Sequence, residues 1–358
     1  IKVLSENLSE EDKKDFCITH FFNPVRYMGL LEIVKNENND LEKINFLKDF
    51  CETLLGKGVI VCNDTPGFLG NRVGVYAMQV AMTEAFKMKL SVEEADAVFG
   101  RPMGIPKTGI FGLYDLIGID LMADVLKSFI KELPEIDKFH KVAKEVPLVT
   151  KLIETGYTGR KGKGGFYRVN KESGKKVLEA LNLETGEYAS SKKINIKSDK
   201  VDLKNLINRK DKYGNYAWSV ISEIIKYASS LVPNVTKEFN DIDEAMRLGF
   251  NWAKGPFEML EEIGVKNFFE KIDSFENNEF LENEKEQFES NELLEQESYE
   301  IEMDAQEAQE IEEQIISEEL TMEADTTASD VNAEITDDFT TSTGDLDTKS
   351  NEDITIED

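Results

Sequence analysis

The sequence predicts a mainly α-helical protein with a residual α/β part at its start: the last strands of an open sheet, a duplicated all-helical domain, and a disordered acidic tail. Three observations predict this. Short β-branched runs surround one helical pattern over the first 65 residues, a helical motif recurs with a period of about 146, and the net charge is confined to one end. The 358 residues carry a formal charge of −29. From Asp273 onward 31 Asp and Glu face only Lys285 and Lys349, so the tail holds all of that charge and the rest balances at 40 of each sign. A segment so acidic, with few apolar residues, cannot bury enough surface to order itself.

In order along the chain, CITHFF (17–22) and LLEIVK (30–35) read as strands, separated by turn residues at Asn23-Pro24 and Met28-Gly29. Between Asp40 and Leu55 the residues Leu41, Ile44, Leu47, Phe50, Cys51 and Leu54 keep helical spacing, with Asp40 as cap and Gly56 as stop. GVIVCND (58–64) is a third strand. After Thr65-Pro66-Gly67 the pattern turns helical. Residues 69–89 place Val73, Tyr76, Ala77, Val80 and Ala81 on one face; Ser91 and Glu94 form a capping box; Leu113 to Phe129 supplies a further helix. GYTGRKGKGG (156–165) is a loop and FYRV a short strand. DAVFGRPMGIPKTGIFGLYDLIGI (96–119) then aligns with DEAMRLGFNWAKGPFEMLEEIGV (243–265), and NRVGVYAMQVAMTEA (71–85) aligns more weakly with DKYGNYAWSVISEI (211–224). That period suits two copies of one helical domain. The boundaries are 1–65, 66–170, 171–272 and 273–358.

Cys17, Cys51 and Cys62 have no CxxC spacing and suit a reducing compartment. No apolar run is long enough to span a membrane and no leader pattern appears, so the expectation is a cytoplasmic protein with no nucleic-acid partner. No Cys/His cluster has metal-ligand spacing. No GxGxxG follows a strand, and GRKGKGG fails the phosphate-loop test because Gly164 stands where Ser or Thr is required. Its lysines could still attract a phosphorylated ligand.

Four polar residues stand out. His20 ends a strand before a Pro turn, where catalytic groups of open α/β sheets gather; it also reads as an ordinary buried strand histidine. An imidazole can accept a proton near neutral pH but needs an acceptor to hold its tautomer. Glu32, inside the apolar run LLEIV, is costly there unless paired, or else faces outward from a half-exposed strand. Asn23 and Asn71 read as turn and cap residues, or as amides placed to bond a substrate oxygen or a cofactor edge. Arg72 reads as a surface or interface cation, and His140 as a helix-surface residue.

HFFNPVRYMGLLEIV, NDTPGFLGNRV, RPMGIPKTGIFGLYDLIGID and GRKGKGGFY, in this order, resemble the L-3-hydroxyacyl-CoA dehydrogenases, especially the dehydrogenase part of multifunctional fatty-acid β-oxidation proteins. The resemblance runs over residues 2–272. It implies a Rossmann-like sheet, NAD as cofactor, and oxidation of 3-hydroxyacyl-CoA to 3-ketoacyl-CoA. It assigns His20 as catalytic base, Glu32 as its orienting carboxylate, Asn23 to cofactor binding and Asn71 to substrate binding. It further implies a homodimer or a β-oxidation complex with thiolase. Because the glycine-rich phosphate turn of that family has no counterpart here, the expectation is a fragment inactive alone. A noncatalytic dimerisation or acyl-CoA-binding module is the competing reading, and the tail reads as a solubilising extension or an arm for basic partners.

Overall fold

The structure, a computed structural model, describes residues 1, 3–171, 174–196 and 203–275. The tail expected over 273–358 lies outside the described residues except for 273–275, which close a helical run from 265. After α1 (Glu10–Asp15) the chain enters a three-stranded sheet of order β1 (Ile18–Phe21), β2 (Leu30–Lys35), β3 (Gly58–Asn63). The first pair is antiparallel and the second parallel, joined by α2 (Leu41–Thr53). Asp40 caps α2 by accepting from the Glu42 amide at 2.9 Å, and Gly56 takes the left-handed conformation expected of a stop.

Strand β2 is buried on both faces, and its alternation sorts two cores. Leu31 and Ile33 pack with Ile44, Cys51 and Val59 beneath α2. Leu30 and Val34 face the helices together with Phe22, Ile60 and Cys62. Glu32 therefore points to the helical side, between two apolar neighbours of its own face.

The helical part is built around α3 (Gly70–Lys87). The face predicted for it is buried, yet so is almost every other side, because further helices surround it. Ser91 and Glu94 close the capping box at the start of α4 (Val92–Val98). The single helix expected over 113–129 is instead two, α5 (Phe111–Ile117) and α6 (Ile119–Glu132). Gly118, at φ 119° and ψ 121°, breaks the ladder, and the Ile119 amide turns to the Thr158 carbonyl at 3.0 Å. Short helices α7 (Phe139–Val142) and α8 (Pro147–Glu154) follow. His140 sits on α7, half-buried, its Nε2 within 3.0 Å of the Pro134 carbonyl.

Residues 171–272 are not all helical. FYRV leads into β4 (Tyr167–Asn170), which pairs with β5 (Val177–Leu181), and β5 pairs with β6 (Tyr188–Ser190) in an antiparallel meander. In the turn between the last two, Asn182 accepts from the Glu184 and Thr185 amides, and Gly186 supplies φ 73°. Helices resume with α9 (Leu203–Ile207), α10 (Lys212–Ser230), α11 (Phe239–Phe250) and α12 (Pro256–Ile263).

Asp96 and Asp243 occupy matching places. Asp96 accepts from the Phe111 and Gly112 amides at 2.7 and 3.1 Å, and Asp243 from the Phe257 and Glu258 amides at 2.8 and 3.2 Å. Gly109 and Gly255 lie so close to these aspartates that a Cβ would strike them. Helices α3 and α10 pack directly, with the Tyr76 and Tyr227 rings stacked at 3.7 Å and the Tyr216 hydroxyl donating to the Ala81 carbonyl at 2.9 Å.

Burial pushes the Asp96 carboxyl up to about 7, against the pull of the two amides and of the Tyr167 hydroxyl. The folded chain thus holds this proton more tightly than the unfolded one, and the stability it contributes is complete below about pH 4 and lost as pH rises to about 7. The urea midpoint of the native protein minus that of Asp96→Asn should accordingly shrink from pH 5 to pH 7.5. A difference that stays constant would refute the shift.

Candidate active site

Two strands and one helix start make the site. His20 and Glu32 are direct partners in the β1–β2 register, so their side chains leave the sheet on one face. His20 Nδ1 and Glu32 Oε2 are 2.6 Å apart. The other oxygen, Oε1, accepts from the Leu69 amide at 3.0 Å and the Gly70 amide at 2.7 Å. These are among the first N–H groups of α3, which have no partner within their own helix. Glu32 is fully buried, and its cost of burial is met by three hydrogen bonds, two of them from a helix end that favours negative charge.

With the carboxylate accepting from Nδ1–H, the imidazole presents the lone pair of Nε2, which has no partner among the described residues. The ring is about one third exposed and lies between Phe22 and Phe68, at 5.1 and 5.4 Å between centroids. The arrangement is a proton acceptor with its tautomer held and its open nitrogen directed to a partly apolar surround. On β3, opposite Val34, Cys62 is buried, its thiol pushed far up by burial and then by the Glu32 charge, so it stays protonated.

The turn that delivers the two amides is itself clamped. Gly67 and Phe68 are left-handed, at φ 76° and 52°. Arg72, buried, donates from Nη1 to the Pro66 carbonyl at 2.9 Å, from Nε to the Tyr227 hydroxyl at 2.5 Å, and pairs through Nη2 with Asp137. It is an interface cation, tying the turn to α10. The Leu69 and Gly70 amides, Asp137 and Tyr227 had not been singled out in the sequence. A Pro-Gly turn just before a helix start is a signal for the amides; nothing local marks the other two.

Asn71 is the second residue of α3, next to the Gly70 amide that holds Glu32. Asn23 is exposed in the turn three residues past His20. Neither side chain has a hydrogen-bond partner among the described residues. No group of acidic, Cys or His residues among them could hold a metal ion, and no described helix is long and apolar enough to cross a membrane. A dinucleotide's phosphates find no glycine-rich cradle after β1, β2 or β3, so the residues present do not fit that end of NAD.

Comparison with known proteins decides what this geometry belongs to. The profile described as 3-hydroxyacyl-CoA dehydrogenase, C-terminal domain, matches residues 67–169 and 214–299, and the NAD binding domain profile matches 1–65. The chain belongs to the 3-hydroxyacyl-CoA dehydrogenase family. A protein of Rickettsia felis, provisionally named a fatty acid oxidation complex trifunctional enzyme, is 43% identical over 260 residues, 73% of this chain and 36% of the relative. One of Bacillus subtilis, provisionally named a 3-hydroxyacyl-CoA dehydrogenase, is 34% identical over 281 residues, 76% of this chain and 35% of the relative. The chain thus spans little more than a third of these relatives. The crystal structure of 3-hydroxybutyryl-CoA dehydrogenase from Escherichia coli shares the fold, with a TM-score of 0.55 at 23% identity over 75% of this chain and 67% of that one.

Proposed function

We propose that the protein containing this chain oxidises 3-hydroxyacyl-CoA to 3-ketoacyl-CoA with NAD, and that His20 is its base. The observation that carries this is the 2.6 Å contact of His20 Nδ1 with a buried, doubly held Glu32 in a member of this family. His20 Nε2 takes the proton of the 3-hydroxyl, while Glu32 fixes the tautomer and stabilises the imidazolium that forms. NAD would supply the hydride acceptor, and the described residues lack the glycine-rich turn that holds its phosphates. Asn71 is proposed to bond the substrate oxygen and Asn23 to edge the nicotinamide. The similarity of the Asp96 and Asp243 caps supports a helical unit present twice, the second copy structural. A homodimer or a β-oxidation complex with thiolase, in the cytoplasm, completes the reading.

The test is NADH formation from 3-hydroxybutyryl-CoA by the longest natural polypeptide that contains this sequence. His20→Gln should lower kcat by about 10²–10⁴ at an unchanged melting temperature, the usual worth of a positioned base. Near-normal turnover would remove His20 from the chemistry. The missing phosphate turn favours a second reading for the chain on its own, a noncatalytic acyl-CoA-binding module. Fluorescence titration separates the two: NAD binding by the isolated chain would exclude the module reading.

A further inference from the structure

The loop GRKGKGG has no part in the His20 site, yet it borders a groove of about 940 Å³ that shares no residue with that site. Several separated segments line it, among them α4, α5 and the approach to it, the 159–165 loop, β4 and β5, and the chain just past β6. They bring Lys107, Arg160, Lys163, Lys171 and Lys192 to one opening.

The carboxylates in the groove already accept hydrogen bonds from neutral donors, and the cations outnumber them. Both oxygens of Asp96 are taken by the Phe111 and Gly112 amides and the Tyr167 hydroxyl. Those of Asp115 accept from the Phe166 and Tyr167 amides, both at 2.8 Å. Glu93 accepts from the Lys192 backbone amide at 2.9 Å. Among the described residues the side chains of Lys107, Arg160, Lys171 and Lys192 form no ion pair, and Lys163 donates to the Thr155 carbonyl at 2.9 Å. Arg168, by contrast, is neutralised by Glu179 at 2.7 Å and does not count towards the opening.

Most of the loop's backbone amides are already engaged within the protein. The Gly159 amide donates to the Gly164 carbonyl at 2.7 Å, Gly162 to Gly159 at 3.0 Å, and Lys163 to Gly156 at 3.1 Å. Recognition must come from side-chain charges that remain in water. Each such contact is weak, so a single phosphate would be held too weakly to matter, and an anion must touch several of these cations at once to bind. Along the floor, Val169 and Leu178 form a cross-strand pair, 54% and 52% exposed, with Ile194 beside them. They offer an apolar bed for an organic body attached to the anion.

We propose that this groove is a binding site for a small molecule bearing a chain of two or more phosphates. The source is either an inorganic polyphosphate or a nucleotide, and the two are told apart by the floor. Isothermal titration of the chain with inorganic tripolyphosphate and with ATP, at low and moderate salt, tests it. Both should bind, more weakly as salt rises. Tighter binding of ATP identifies the nucleotide source, and equal binding the inorganic one. The triple variant Lys107→Glu, Lys171→Glu, Lys192→Glu should weaken both at least tenfold. A control with Lys127→Glu, Lys131→Glu and Lys138→Glu, exposed lysines outside the groove with the same change in net charge, should keep affinity within about twofold. Failure of both probes to bind, or equal losses in the two triple variants of unchanged melting temperature, would overturn the site. The measurement reads binding alone, so its outcome is independent of whether His20 acts on a 3-hydroxyacyl-CoA.

Discussion

Glu32→Ala is expected to destabilise the fold by about 2–6 kcal/mol, because two buried amide donors lose their acceptor and each such loss costs about 1–3 kcal/mol. The donors are the Leu69 and Gly70 N–H groups, and the Gly70 backbone lies close to the Phe22 and Leu30 side chains. Against a total of about 5–15 kcal/mol for a domain, this is enough to lower the melting temperature by many degrees. Glu32→Gln separates structure from chemistry. Its carbonyl oxygen can still receive the two amides, so stability should fall far less. Its amide nitrogen, however, turns donors towards His20 Nδ1, which must then become the acceptor and leave the proton on Nε2. A base with its proton on the reacting nitrogen is blocked, and an amide in the carboxylate's place in a hydrolase triad costs about 10⁴ in kcat for the same reason. Under the proposed function we expect kcat of the longer polypeptide to fall by about 10³–10⁴, with thermal melting close to native. Equal melting temperatures for Glu32→Ala and the native chain would disprove the role given to the amides, and a Glu32→Gln enzyme of near-native kcat would disprove the tautomer argument.

Arg72→Met is expected to cost about 3–5 kcal/mol, the usual effect of removing one partner of a buried pair. The residues left behind are Asp137, a partly buried carboxylate without its cation, and the Pro66 carbonyl and Tyr227 hydroxyl without a donor. Tyr227→Phe, which removes only a hydroxyl, should cost about 1 kcal/mol. The double variant Arg72→Met, Asp137→Asn should recover part of the loss, since the stranded charge is gone while the asparagine oxygen still receives the Phe139 amide. If the double variant is less stable than Arg72→Met by the full cost of Asp137→Asn alone, the two residues are not coupled. Because Arg72 also anchors Pro66, the single variant should impair NADH formation beyond its effect on melting, through the turn that carries the Leu69 and Gly70 amides.

Much of the fold was readable from the chain. Asp40, Gly56, Ser91 and Glu94 signal helix ends by local hydrogen bonds and backbone conformation, and the structure uses each in that way. The alternation in LLEIV sets Glu32 on the face opposite Leu31 and Ile33. The misreadings share one cause. Residues 113–129 keep helical periodicity across Gly118, and only the Thr158 carbonyl, 39 positions away from the Ile119 amide it receives, makes the break favourable. The meander at 167–190 is too short to outweigh the helical character around it, and its strands exist because each pairs with the next.

The candidate site divides along the same line. Local sequence alone determines that His20 ends a strand, that Glu32 interrupts an apolar one, and that Pro66-Gly67 precedes a helix, because turn chemistry and side-chain alternation act over a few residues. That His20 and Glu32 touch follows from strand register, and that the Leu69 and Gly70 amides reach Glu32 across 37 and 38 positions follows from how α3 docks on the sheet. Only the tertiary structure joins Arg72 to Tyr227 across 155 positions, since a buried charge takes whatever partners packing brings within hydrogen-bond reach, and sequence separation places no limit on which those are.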